Sequence, residues 1–182
     1  MIFHETKLAD AFLIDLELRG DERGFFARSF CEDEFAAKGL VSHFVQTNTS
    51  RTSERGTLRG LHYQRAPYAE AKLMRCIKGA ILDIIVDLRS QSATYLQHGM
   101  FELSAENRRQ LYVPPGFAHG FLTLSDDVEV VYPVSARYEP SAEGGLRFDD
   151  PSLGLELPIA VTTVSEKDRS WPAFNKQTAP VF

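Results

Sequence analysis

Between residues 80 and 88 the side chains alternate with the two-residue period of a β-strand. The even positions read Ala80, Leu82, Ile84, Val86 and Leu88, an unbroken apolar face, while Ile81, Asp83, Ile85 and Asp87 make the other face partly polar. Further strand-like runs cover residues 12–18, 44–50, 57–64, 72–77, 100–104, 110–113 and 128–138. Turn-forming residues separate many of them, as in Arg19-Gly20-Asp21, Lys78-Gly79, Pro114-Pro115-Gly116 and Ser125-Asp126-Asp127. Helical signals are sparse. A short helix is expected at 32–38 with Gly39 as its stop, and a second helical turn after Ser165. Many short strands with so little helix predict an all-β chain, a sandwich or barrel of the jelly-roll type with a few short helices. The segment after Asp149, rich in proline and polar residues, is expected to wrap that barrel. No internal repeat, low-complexity tract or linker interrupts the pattern, so residues 1–182 read as one domain with a single sizeable core.

Composition narrows the partners. With 43% hydrophobic and 25% charged residues the chain is of ordinary globular type. Its net charge of −5 gives no general attraction for nucleic acid or an anionic membrane, so an anionic ligand needs a local cluster of positive groups. No apolar run approaches the ~20 residues of a membrane span, and the first twenty residues interleave acidic and polar side chains where a secretory signal would be apolar. A cytoplasmic location is expected. Cys31 and Cys76 are too few for a disulfide framework and lack metal-site spacing, so reduced thiols are expected.

Two segments carry candidate chemistry. The first runs Gly56, five residues, His62-Tyr63-Gln64, then Lys72, six residues, Gly79; the second is Pro114-Pro115-Gly116-Phe117-Ala118-His119. They resemble the paired motifs of the cupin superfamily, whose metal is normally held by three His and one Glu. In this chain only His62 and His119 keep ligand positions; Gln64 and Lys72 occupy the others. Two imidazoles beside an ammonium make a poor transition-metal site. The spacing therefore points to a pocket kept for metal-free chemistry.

Further segments extend the likeness. Gly56-Thr57-Leu58-Arg59-Gly60-Leu61-His62-Tyr63-Gln64 resembles the central signature of the dTDP-4-dehydrorhamnose 3,5-epimerases. So do Asp21-Glu22-Arg23-Gly24-Phe25-Phe26, Gln46-Thr47-Asn48-Thr49-Ser50, Lys72-Leu73, Val86-Asp87-Leu88-Arg89, Pro115 through Phe121, Tyr138-Glu139-Pro140 with Glu143, and Ser165-Glu166-Lys167-Asp168, all in family order. The resemblance implies epimerisation at C3 and C5, on either side of the C4 ketone of a nucleotide-linked 4-keto-6-deoxy sugar. The substrate it implies is dTDP-4-dehydro-6-deoxy-D-glucose and the product dTDP-4-dehydro-L-rhamnose. Such chemistry needs a base, stabilisation of an enolate oxygen and an acid on the opposite ring face, with no cofactor. By resemblance His62 is the base, Asp168 its orienting carboxylate, Lys72 the cation near the C4 oxygen and Tyr132 the far-face acid. Arg23 and Arg59 match the diphosphate clamp, and His119 the lining of the sugar or phosphate region. Phe26 and Tyr138 match groups that stack on the base, and Gln46, Asn48 and Glu143 groups that hold its polar edge or the sugar. The resemblance implies a homodimer in which N-terminal strands complete the partner's site, which leaves Arg23 and Phe26 to act in cis or in trans.

Several positions depart from a simple transfer. In a regular strand Arg59 points away from His62, so a twist or bulge, with Gly60 as the candidate, must bring both to one ligand. Tyr132 shares a strand face with Val134 and Tyr138, but Pro133 beside it removes a backbone donor and suggests an edge or bulge. Phe148 and Leu157 stand where the family often has Trp and are expected to be packing changes. Arg28 stands where Glu is expected; it either reads the base, favouring an acceptor-rich face such as that of cytosine, or points to solvent or the diphosphate. A CDP-linked or other 4-keto sugar, epimerisation at one carbon, ketoisomerisation and a non-catalytic sugar-binding role therefore stay open on sequence grounds.

Overall fold

The computed structural model describes residues 1–175 and 182. Its elements run β1 (Ile2–Glu5), β2 (Phe12–Asp15), β3 (Arg19–Asp21), β4 (Gly24–Phe26), α1 (Glu32–Ala37), β5 (Gln46–Thr52), β6 (Thr57–Gln64), β7 (Lys72–Lys78), β8 (Ala80–Asp87) and β9 (His98–Ser104). There follow β10 (Gln110–Val113), β11 (Phe117–Thr123), β12 (Val128–Val134), a 3₁₀ turn (Pro140–Ala142), β13 (Glu143–Gly145), β14 (Thr163–Val164) and α2 (Glu166–Arg169). One sheet has the order β1-β2-β10-β7-β12-β5; the other has β13-β6-β11-β8-β9, with β14 added alongside β6. Neighbours are antiparallel apart from β14 on β6, and β3 with β4 forms a separate hairpin. The all-β jelly-roll barrel expected from the strand pattern is the fold observed.

Apolar side chains sort into three layers. Met74, Leu111, Val113 and Val130 of the first sheet meet Ile81, Ile85, Leu103 and Phe117 of the second inside the barrel. Outside the second sheet, Leu58, Leu61, Ile84, Val86 and Leu122 are covered by Leu153, Leu155, Leu157, Ile159 and Val161 of the C-terminal segment. Outside the first sheet, Leu73 and Tyr112 pack under Phe35 of α1 with Phe3, Phe12 and Phe44. The expected wrap after Asp149 is thus observed over the described residues; 176–181 lie outside them. Phe148 and Leu157 both pack into that outer layer, as expected of packing changes.

Strand β8 reverses the usual sense of its alternation. Its apolar even face looks outward to the C-terminal segment, while Ile81, Asp83, Ile85 and Asp87 are fully buried on the odd face. Asp87 is satisfied there by Arg89, Ser92 and Thr94. Burial pushes its carboxyl up, but those bonds outweigh it and hold it below the ordinary range.

Helix α1 ends one residue short of the expected 38, before Gly39, and α2 starts after Ser165 as expected. Gly39, at φ +71°, donates its N–H to the Ala36 carbonyl at 2.9 Å to stop α1, and the Ser165 hydroxyl caps α2 by accepting the Asp168 N–H at 3.1 Å. Run 128–138 is shorter than expected. After Val134 the chain leaves the sheet, and Gln64 pins the departing loop by accepting the Glu139 N–H at 2.6 Å and donating to the Arg137 carbonyl at 3.2 Å. Pro133 does not mark an edge, because β12 runs between β5 and β7. It pairs with Thr47 of β5, and the β7 partners are Val131↔Arg75 and Val134↔Lys72 on either side of it. The irregularity of β12 lies further back, at Glu129/Val130.

Candidate active site

The central strand of the site is β6, and it is bulged. His119↔His62 is followed by Phe121↔Arg59, so β6 uses three residues where β11 uses two. Gly60 has φ +116°, and a Cβ there would stand 2.6 Å from the Gly120 Cα, so only glycine fits the crossing. The extra residue turns Arg59 and His62 to the same side, while Leu58 and Leu61 both pack under the C-terminal segment. The bulge expected at Gly60 is therefore present.

His62 and Arg59 open into a cavity of about 460 Å³ that Lys72, His119, Tyr132 and Asp168 also line. A second cavity of about 400 Å³ shares His62, Lys72 and Tyr132 and continues to Gln46, Asn48, Tyr138 and Glu143. His62 comes from one sheet; Lys72 and Tyr132 come from the other. Imidazole and phenol therefore stand on opposing walls.

Asp168 reaches His62 from α2. Its Oδ1 lies 2.5 Å from His62 Nε2, and the Gly60 N–H donates to its Oδ2 at 3.2 Å. The carboxylate is 6% exposed, while the imidazole retains 34%. Burial works to raise the Asp168 carboxyl, but the bonds from His62 and Gly60 prevail and hold it below the ordinary range. It is therefore an anion aimed at the imidazole. Trp171 closes the rear, its ring centroid 6.4 Å from that of His62 in edge-on contact.

The other groups are held as firmly. Arg59 donates from Nε to the Thr52 hydroxyl at 2.9 Å and from Nη2 to the Arg51 carbonyl at 3.2 Å. His119 Nε2 meets Asp83 Oδ1 at 2.6 Å, with exposures of 8% and 0%. Burial, reinforced by the charge of Glu70, pushes the Tyr132 phenol up against the opposing pull of Arg59 and Asn48. Gln46 donates to Asn48 Oδ1 at 2.7 Å. Glu143 accepts from the Tyr138 hydroxyl at 3.0 Å and from the Lys167 ammonium at 2.7 Å. No cluster of three or more His, Cys, Asp or Glu side chains is set to hold a metal among the described residues. Both histidines at the cupin ligand positions are engaged by carboxylates, and Gln64 by backbone groups.

Three predicted site residues do not join this group within the chain. Arg23 is 82% exposed and folds back on Asp21. Phe26 and Arg28 line a small cavity of about 80 Å³ with Met1, Glu17, Arg19 and Glu34, and Arg28 faces Glu34 at 3.3 Å. All three lie on or beside the β3–β4 hairpin, which is separate from both barrel sheets. Conversely, Glu70 and Lys167 line the cavities and Asp83 holds His119, and none of the three was singled out by sequence. Lys167 was within reach, since it adjoins Asp168 in the quoted segment. Asp83 was hidden because alternation does not say which face of β8 looks inward.

Comparison with known proteins follows the same outline. The family model described as dTDP-4-dehydrorhamnose 3,5-epimerase matches residues 5–176. The dTDP-4-dehydrorhamnose 3,5-epimerase of Methanothermobacter thermautotrophicus is 45% identical, covering 99% of this chain and 97% of that protein. Among solved structures, the dTDP-6-deoxy-D-glucose-3,5-epimerase of Legionella pneumophila, in complex with dTDP-4-keto-L-rhamnose, superposes with a TM-score of 0.90 at 34% identity, covering 100% of this chain and 98% of that one. A 3'-monoepimerase from Streptomyces bikiniensis, in complex with dTDP-quinovose, superposes with a TM-score of 0.83 at 31% identity, covering 98% of this chain and 86% of that one.

Proposed function

The chain belongs to the dTDP-4-dehydrorhamnose 3,5-epimerase family, and from that premise we propose that it converts dTDP-4-dehydro-6-deoxy-D-glucose to dTDP-4-dehydro-L-rhamnose by inverting C3 and C5. The observation that carries this reading is the His62–Asp168 pair facing Lys72 and Tyr132 across one cavity. A C–H beside a ketone is weakly acidic, and its removal needs a base and a positive group at the oxygen that becomes enolate. His62 takes the proton at the ring nitrogen that Asp168 does not hold, and the buried carboxylate stabilises the imidazolium. Lys72 faces the C4 oxygen as charge develops there. Tyr132, on the opposing wall and with its phenol pushed up, keeps its proton until it returns one to the carbanion from the other face. Repetition at the second carbon completes the double inversion.

Arg59 binds the diphosphate through its guanidinium, and His119 lines the sugar end. Gln46, Asn48, Glu143 and Tyr138 hold the nucleoside end. Arg23 and Phe26 serve the site of a second copy in a homodimer, a role supported by the exposure of their hairpin. Arg28, beside that hairpin, is held by Glu34 outside the cavities of its own chain, and the base that is read stays thymine. Neither a metal nor another cofactor takes part. The enzyme acts as one domain, residues 1–182, in the cytoplasm.

Incubation with this substrate in D₂O tests the reading. Deuterium is expected at both C3 and C5, with no loss of rate after exhaustive chelation. Label at neither carbon, or activity restored by one specific metal ion after chelation, contradicts it.

A further inference from the structure

The cation at the cupin glutamate position brings its own carboxylate with it. Glu70, two residues before Lys72, places Oε1 2.8 Å from the Lys72 ammonium. Lys72 is buried and Glu70 partly so, with side chains 10% and 11% exposed, in the wall of the cavity shared by His62 and Tyr132. The second Glu70 oxygen lies 3.4 Å from Gln64 Nε2, which is itself fixed by the Tyr68 carbonyl at 3.0 Å. The carboxylate is thus held from two sides, while Lys72 is a flexible stem carrying a point charge. We propose that Glu70 is a positioning residue for the epimerisation, anchoring the Lys72 ammonium toward the sugar and placing a fixed negative charge beside Tyr132. The inference rests on the reaction proposed above.

Competition for the lysine makes the anchor necessary. A bound nucleotide-diphosphate sugar brings a diphosphate into the same site, and an unanchored ammonium would swing to it and leave the C4 oxygen. One of its three donors on Glu70 leaves two for the enolate side. The same carboxylate works with burial to favour the protonated phenol of Tyr132. Lining the two cavities around that phenol are Arg59, His62 and Tyr63 from β6, Lys72 from the neighbouring strand β7, His119 from β11, Tyr138 and Glu143 from the segment after β12, Lys167 and Asp168 from α2, and Glu70 itself. Glu70 is the member of this group that both contacts Lys72 and favours the acid form of Tyr132.

Glu70→Gln keeps the shape and removes the charge. Its kcat is expected to fall about ten- to hundredfold, the worth of one hydrogen bond between charged groups. Affinity for dTDP should stay near wild type, and the alkaline limb of the kcat profile should move to lower pH, because Tyr132 loses its proton more readily without the neighbouring anion. Glu70→Asp should recover part of the rate. A Glu70→Gln enzyme with wild-type kcat and limb overturns the proposal; so does a loss of kcat with the limb unmoved, the mark of a merely structural residue. If the wild-type enzyme incorporates no deuterium, the reaction itself falls. If wild type is active and the variant matches it, only the role of Glu70 does.

Discussion

Two histidines at the old cupin ligand positions each hold a carboxylate through Nε2 at nearly the same distance, 2.5 Å for His62–Asp168 and 2.6 Å for His119–Asp83. Their surroundings differ. His62 keeps about a third of its imidazole open to both cavities, and its partner arrives from α2, a segment remote in sequence with the Gly60 N–H in support. His119 also lines the cavity but is only 8% exposed, and its partner comes from the neighbouring strand β8 with the second oxygen buried and lacking a hydrogen-bond partner among the described residues. An open imidazole backed by a well-satisfied anion suits proton transfer. A closed one suits the fixed presentation of a single ring nitrogen to the ligand.

The largest effect that follows is on His62→Ala, expected to lose about 10²- to 10⁴-fold in turnover, the range of a general base, with dTDP affinity in a calorimetric titration close to wild type. Tyr132→Phe keeps the ring packed and removes the hydroxyl. It should slow product formation more than base-side exchange, and equal loss of both would reduce the tyrosine to a wall of the pocket. Asp168→Asn leaves the base but removes the charge that steadies its imidazolium, so a smaller loss of about ten- to hundredfold is expected. At the other pair, Asp83→Asn should cost only about threefold in kcat/KM and lower the melting temperature. A rate loss for Asp83→Asn as large as that for Asp168→Asn would erase the distinction between the two pairs. Arg28→Glu is expected to have the smallest effect, since Arg28 faces Glu34 outside the cavities of its own chain. A change of preference between dTDP and CDP in that variant would bring Arg28 into base recognition.

How far sequence reached follows the same division. The His62–Asp168 pair was legible because motif order survives along the chain, although no periodicity links residues so far apart. The bulge at Gly60 was legible from a contradiction: the resemblance assigns Arg59 and His62 to one ligand, yet they lie on opposite faces of a regular strand. Asp83 was not, because alternation reports that two faces differ and not which one is inside. In β8 the apolar face is claimed by the C-terminal segment, so the polar face turns inward. Pro133 was misjudged for a related reason. A missing donor demands a gap in one ladder, and β12 supplies it within the sheet, between its partners at Val131 and Val134. Strand ends such as that at Val134 depend on Gln64 reaching across to the following loop, a contact invisible in a local pattern.

Position-resolved deuterium exchange from D₂O, compared in wild type, His62→Ala and His119→Ala, tests the contrast between the two histidines most directly. Wild type should take up label at C3 and C5, His119→Ala should do so at both carbons but more slowly, and His62→Ala should take up none. Exchange at the wild-type rate in His62→Ala, or its abolition in His119→Ala alone, would contradict the account.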